Sequence, residues 1–370
     1  MRLTAEIVIV GAGPAGATAA FMLAPFHETV LVDGSDFKPD LYAARRIGES
    51  LPAAARRLFR DMGLSEDFER QAHTPAHVAR SRWGGGDSTW IDSLRDPDGP
   101  GWHLDREQFD GWLRARAGAR GAALVAPAKL RGLARTPDGW LLTLTRGGHP
   151  FFIEARFAVD AGGRAAPLAR ALGARRARAD RLICRWLHGA GGGGAGTRSV
   201  AAEPDGWWYS ADLPGGRRVL AFHTDADLPA ARPMARSADL LARARGRPDV
   251  AELLDLSAFA PADPPGFCAA HSAWSIAGGP GWLAVGDAAL ACDPLSSQGL
   301  LNALYSGRMA AAAIRRALIG DSGALDDYTR AMVGVAAAYR ANLAAWYAME
   351  ARWPDRPFWA RRHALSAEAR

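Results

Sequence analysis

Six residues near the N-terminus carry the clearest chemistry in the chain: Gly11-Ala12-Gly13-Pro14-Ala15-Gly16. A β-branched run, 7–10, precedes them, and an alanine-rich stretch follows. In a strand–turn–helix setting Gly11 permits a tight turn, and Gly13 lets the backbone approach a pyrophosphate. Gly16 lets helix and strand pack closely. Pro14 and Ala15 open a helix whose free N–H groups can face phosphate oxygens. Asp33 lies 22 residues after Gly11, at the end of the next short strand, where it can accept from ribose hydroxyls. A ligand-free βα turn would use the same glycines. Strand, helix and acid in register point instead to a dinucleotide.

A second constellation lies far along the chain. Trp282-Leu283-Ala284-Val285 reads as a strand delivering Gly286-Asp287 to a turn, and Asp293-Pro294-Leu295-Ser296-Ser297-Gln298-Gly299-Leu300 then opens a helix. This fits a flavin. Asp287 can bind ribityl hydroxyls, and the N–H groups around Pro294, Gln298, Gly299 and Leu300 can face negative charge developing on the ring.

With these motifs, and with Ile47-Gly48-Glu49-Ser50-Leu51-Pro52, Gly101-Trp102-His103-Leu104-Asp105-Arg106 and Val159-Asp160-Ala161-Gly162-Gly163-Arg164, the chain resembles the FAD-dependent monooxygenases of the p-hydroxybenzoate hydroxylase type. Within them it is similar to the flavin-halogenase-like branch. The resemblance spans nearly the whole chain. It implies FAD, reduced by NAD(P)H directly or through a separate flavin reductase. It also implies cofactor contacts at Arg45, Arg46, Ser50, Arg106, Val125, Asp160 and Gly163, beside Gly11, Gly13, Pro14, Ala15, Gly16, Asp33, Gly286 and Asp287. For Arg45 and Arg46, solvent exposure is the competing reading.

Departures from the halogenase pattern shift the expected reaction. The lysine that halogenases carry after the Gly-Glu-Ser segment falls here at Arg80 to Arg82, beside Trp83. A guanidinium stays protonated and cannot replace that amine. The tryptophan-rich halogenase signature falls at Trp207-Trp208-Tyr209-Ser210-Ala211-Asp212, and the glutamate of tryptophan halogenases at Ser296. The resemblance then implies hydroxylation of an indole- or phenol-like aromatic through a flavin C4a-hydroperoxide. A flavin-dependent halogenase and an oxygen-independent reductase or dehydrogenase are the alternatives. Trp207, Trp208, Tyr209, Phe222 and His223 are the candidate wall over the flavin, with Trp83 and Trp90 similar candidates. Arg82 either anchors an acidic substrate group or makes an ordinary ion pair. Pro204 to Ser210 and Arg352 to Trp359 look like flavoproteins that oxidise tryptophan within a partner protein during quinone-cofactor biogenesis. The substrate is therefore a tryptophan-bearing partner protein or a free small aromatic. A cofactor that carries the chemistry requires no catalytic triad, and nine histidines without ligand spacing predict no metal.

The elements that must position these groups read as α/β. Expected helices cover 14–24, 105–118, 237–247, 299–318 and 325–352. Tyr339, Leu343, Trp346 and Glu350 recur along the last of these at helical spacing, with Trp353 one residue beyond it. Hairpins are expected at Pro137-Asp138-Gly139 and Pro214-Gly215-Gly216, with apolar and polar residues alternating over 205–225. Gly191 to Gly194 read as a flexible connection. The expected organisation is a discontinuous Rossmann-type FAD-binding domain (1–75, 98–170 and 268–324). An inserted mixed-sheet substrate domain (76–97 and 171–267) and a C-terminal helical segment (325–370) complete it.

Composition sets the outer bounds. The chain has 370 residues, 49% of them hydrophobic and 23% charged, as in ordinary globular proteins. Its net charge of +6 is spread over scattered arginines, which argues against nucleic acid. Residues 7–24 are apolar, but Gly11, Gly13, Pro14 and Gly16 interrupt them, so no membrane span is expected. Three widely spaced cysteines, Cys184, Cys268 and Cys292, form no disulfide framework and fit a reducing cytoplasm.

Overall fold

A computed structural model describes residues 2–37, 47, 49–85, 87–190, 196–261, 264–275 and 277–368. The strand Arg2–Val10 stands at the centre of the first sheet. It pairs in parallel with Thr29–Val32 on one side and with His149–Asp160 on the other. Its last four residues, Ile7 to Val10, are buried, as a β-branched run covered on both faces should be. Trp282–Ala284 joins the same sheet in parallel beside His149–Asp160, so the sheet is completed from far along the chain. The hairpin Lys129–Thr136 and Gly139–Arg146 adds antiparallel strands.

Helix Pro14–Leu23 packs between Arg106–Ala119 and Gly299–Leu318. Asp105 caps the first of these neighbours, its carboxylate accepting from Glu107 N at 3.0 Å and Gln108 N at 3.1 Å. Gly299–Leu318 has the bounds expected from its sequence. The helix expected over 325–352 runs as Ala324–Met349. It stops short because the Glu350 carboxylate is engaged outside the helix, by Gly84 N and by Arg352.

The second sheet runs in the order Gly266–Ala269, Leu182–Ala190, Arg217–Asp225, Gly206–Leu213, Thr197–Glu203, Val78–Arg82, Thr89–Asp92. All its pairings are antiparallel except that of Thr197–Glu203 with Val78–Arg82. Although apolar and polar residues alternate over 205–225, neither face of this sheet is left to solvent. Cys184, Trp186, Trp207 and Ala221 join one apolar cluster. Leu187, Trp208, Leu220 and Phe222 join another, together with apolar residues of helices Ser237–Arg245 and Pro248–Leu254. Both faces are covered, so His223, Thr224 and Asp225 are buried as well. Among the described residues no helix is long and apolar enough to cross a membrane.

Candidate active site

A cavity of about 420 Å³ opens between the two sheets, a volume typical of a small-molecule site. Gly11, Gly13, Pro14, Ala15 and Asp33 line it from the N-terminal βα unit. Gly162, Gly163, Asp287, Pro294, Gly299 and Leu300 line it from the other turns. Ser50 and Arg106 contribute from the middle, and Trp207, Tyr209 and His223 from the second sheet.

The glycine turn is built as its sequence demands. Gly11 has φ +111°, and a Cβ there would collide with the Ala161 carbonyl. A Cβ on Gly16 would collide with the Gly11 carbonyl. Gly13 differs, because a Cβ there would meet nothing within 4 Å. Asp33 ties the turn together, its Oδ2 accepting from Ala12 N at 2.7 Å and its Oδ1 from Ser35 N at 2.8 Å. Val125 does not line the cavity. Its carbonyl accepts from Asp33 N at 3.2 Å and so holds the acid in place.

Two helix N-termini face this space. Neither Gly13, which precedes Pro14–Leu23, nor Gln298, which precedes Gly299–Leu318, makes a side-chain cap. Gln298 itself does not line the cavity. Uncapped N–H groups and a backbone cradle left open at Gly13 suit a pyrophosphate and an electron-rich ring, so the residues present fit FAD.

Asp287 is ion-paired to Arg164, with Nη1 to Oδ2 at 2.7 Å, and Arg164 Nη2 donates to the Cys292 carbonyl at 2.8 Å. Arg164 lines the cavity and belongs to the motif that begins at Val159, yet only Asp160 and Gly163 of that motif were expected there. Asp160 is placed differently from expectation. Its buried carboxylate faces into its own turn, accepting from Gly162 N at 3.0 Å and Ala169 N at 2.8 Å. Burial raises its pKa against those two hydrogen bonds. Arg106 lines the cavity and grips Asp110 through two 3.0 Å hydrogen bonds.

The wall candidates divide by strand parity. Trp207 and Tyr209 face the cavity, together with His223. Burial holds the His223 ring down at about 3, so it is neutral. Trp208 points to the opposite face, fully buried, and donates to Glu203 Oε2 at 2.8 Å. Phe222 lies beside it. Trp83 packs 5.4 Å from Trp359 and donates to the Trp346 carbonyl, away from the cavity. Trp90 is 62% exposed on an edge strand. Arg82 points to Asp249, with Nη1 to the carbonyl at 3.3 Å and Nε to Oδ2 at 3.9 Å. Arg45 and Arg46 lie outside the described residues, as do Lys38, Gly48 and Gly191 to Gly194.

Ser50 Oγ lies 3.0 Å from both His103 Nδ1 and Tyr209 Oη. Burial lowers the His103 pKa to about 4. Its Nε2 lies 3.3 Å from the Gly196 carbonyl, so Nε2 carries the proton and Nδ1 accepts from Ser50. The two segments singled out as resembling tryptophan-oxidising flavoproteins also meet. Trp359 Nε1 donates to the Glu203 carbonyl at 2.9 Å, and Arg356 pairs with Asp205.

No family model matches the chain. Among curated proteins it is 27% identical, over a 391-residue alignment covering 98% of each chain, to LodB of Marinomonas mediterranea, described as an FAD-dependent oxidoreductase. Among solved structures it superposes on the flavin-dependent halogenase CmlS with a TM-score of 0.84 and 25% identity, over 97% of this chain and 67% of that one. It superposes on the peptidyl tryptophan dihydroxylase QhpG, essential for tryptophylquinone cofactor biogenesis, with a TM-score of 0.77 and 27% identity, over 97% of this chain and 78% of that one. The chain is an enzyme with the mixed α/β fold of the flavin-dependent halogenase-like FAD oxidoreductases.

Proposed function

We propose that the chain is an FAD-dependent monooxygenase that hydroxylates an indole group, the tryptophan side chain of a partner protein. The observation that carries this reading is the aromatic wall of Trp207, His223 and Tyr209, which faces the glycine turn and the Pro294–Leu300 turn across one cavity. In this reading residues 1–75, 98–170 and 268–324 make the FAD-binding domain, 76–97 and 171–267 the substrate domain, and 325–370 the C-terminal helical segment.

Gly11 to Ala15 and Asp33 hold the dinucleotide end, and Asp287 the ribityl chain. Ser50, Pro294, Gly299 and Leu300 border the ring. When bound and reduced, FAD supplies the oxygen-activating chemistry. The chain orients the substrate ring between Trp207 and the cofactor and excludes water with the buried sheet face. Arg80 and Arg82 occupy the positions where a halogenase lysine is expected. Arg82 is tied to Asp249, and Arg80 stacks over Trp90 at 4.3 Å. Neither lines the cavity, which favours oxygenation over halogenation.

QhpG acts on a peptidyl tryptophan, and that likeness supports a protein-borne substrate here. Reducing equivalents come from NAD(P)H, directly or through a separate flavin reductase, in a cytoplasmic setting. The test is product mass spectrometry with a tryptophan-bearing peptide, and with free indoles and phenols, in the presence of chloride and bromide. A product heavier by one or two oxygen atoms on the peptidyl tryptophan is expected. A halogenated product, or turnover without oxygen, would overturn the reading.

A further inference from the structure

We propose that Cys184 and Cys268 are a redox pair in the wall of this cavity, closing to a disulfide when a small hydroperoxide reaches it. The two residues lie far apart in sequence, yet they stand directly opposite each other across the strands Leu182–Ala190 and Gly266–Ala269. Both line the cavity. They extend a transverse row across four strands in which Cys268, Cys184, His223 and Trp207 are successive neighbours.

Residues directly opposite in an antiparallel pair hold their Cβ atoms about 4.5–5.5 Å apart. A disulfide asks for a Cβ separation of about 3.5–4.5 Å and tolerates a Cα separation of about 4.4–6.8 Å. The closing movement is therefore about an ångström or less. Gly266–Ala269 can supply it, because it is an edge strand paired on one side only.

Exposure sets the order of events. Cys268 is half-buried, whereas Cys184 is fully buried. The Cys268 thiolate attacks the peroxide, forming the sulfenic acid and releasing water. The Cys184 sulfur then attacks that sulfenic sulfur and expels the second water. Two thiols and one hydrogen peroxide give one disulfide and two waters, the sulfurs losing two electrons in total. Cys292 lines the same cavity but takes no part. It follows the strand Leu290–Ala291, which pairs with Ala273–Ser275 and not with the strands that carry Cys184 and Cys268. The proposal is independent of the substrate reading, since it needs only the cavity and an added oxidant.

The experiment treats the reduced, folded full chain with stoichiometric hydrogen peroxide, then blocks remaining thiols under denaturing conditions and maps the peptides. Loss of two hydrogens, a linked peptide pair containing Cys184 and Cys268, and reversal by dithiothreitol are expected. Cys184→Ser should leave a sulfenic acid on Cys268 that dimedone traps. Cys268→Ser should slow oxidation of Cys184 about tenfold or more. Cys292→Ser should leave the linkage unchanged. Full alkylation of both Cys184 and Cys268 after peroxide, or a linkage that includes Cys292 instead, would overturn the proposal. The wild-type peptide map decides it even where a serine variant fails to fold.

Discussion

Trp207 and His223 stack face to face, with ring centroids 3.6 Å apart and planes 5° from parallel. They are direct cross-strand neighbours, and both are buried at 1% exposure in the cavity wall. Trp207 Nε1 has no hydrogen-bond partner there. An uncharged double aromatic layer suits a planar aromatic ring.

Replacement of Trp207 by Leu should weaken substrate binding at least tenfold while leaving FAD content unchanged, as read by titration and by the flavin absorbance of purified protein. Trp208→Ala, one residue on, should act on folding instead. It deletes a fully buried indole and leaves Glu203 short of a donor, at a cost of about 3–5 kcal/mol read from denaturant midpoints. A Trp208→Ala protein of normal stability would contradict the assigned faces.

The glycine turn separates binding from folding. Gly13→Val should leave the melting temperature of the apoprotein near wild type, because a Cβ at this site meets nothing within 4 Å. Its flavin content should fall to background. Gly16→Val should fold poorly with or without flavin, because its side chain would strike the Gly11 carbonyl. Equal thermal stability of the two apo variants would count against this division.

Asp287→Ala removes the partner of Arg164 from the cavity lining. FAD binding should weaken by on the order of 1–3 kcal/mol, the cost of leaving a polar partner unpaired. Calorimetric titration of apoprotein with FAD measures it. An unchanged dissociation constant would remove Asp287 from the cofactor site.

Acid should destabilise the chain through its buried histidines. The His73 ring lies 5.4 Å from Phe68 and 6.0 Å from Phe109, without a hydrogen-bond partner, and burial lowers its pKa to about 4. The unfolded chain takes up that proton near pH 6.5, the folded chain only near 4. Stability is therefore full above pH 6.5 and falls as pH drops toward 4, by at most about 3 kcal/mol for this group. His103 and His223 act in the same direction. Asp293 opposes them, because burial raises its carboxyl to about 6. His73→Leu should flatten the acid limb of a urea-midpoint against pH curve. An unaltered limb would exclude His73 as a contributor.

Local signals were enough for the cofactor-facing elements. Glycine spacing, the Asp105 cap and the small-residue turn before Gly299 each act over a few residues, so the βα turn and the helices Arg106–Ala119 and Gly299–Leu318 were legible from the chain alone. Tertiary structure alone decided the wall. Trp207 and Trp208 are chemically equivalent in sequence, and an alternation assigns faces only when one face is wet. Here both faces of the second sheet are buried, so strand register and the helices packed behind determine that Trp207 faces the cavity and Trp208 the core. Long-range pairing likewise turned Arg82 toward Asp249 and set Cys184 against Cys268, because no local preference encodes which distant strand becomes a neighbour.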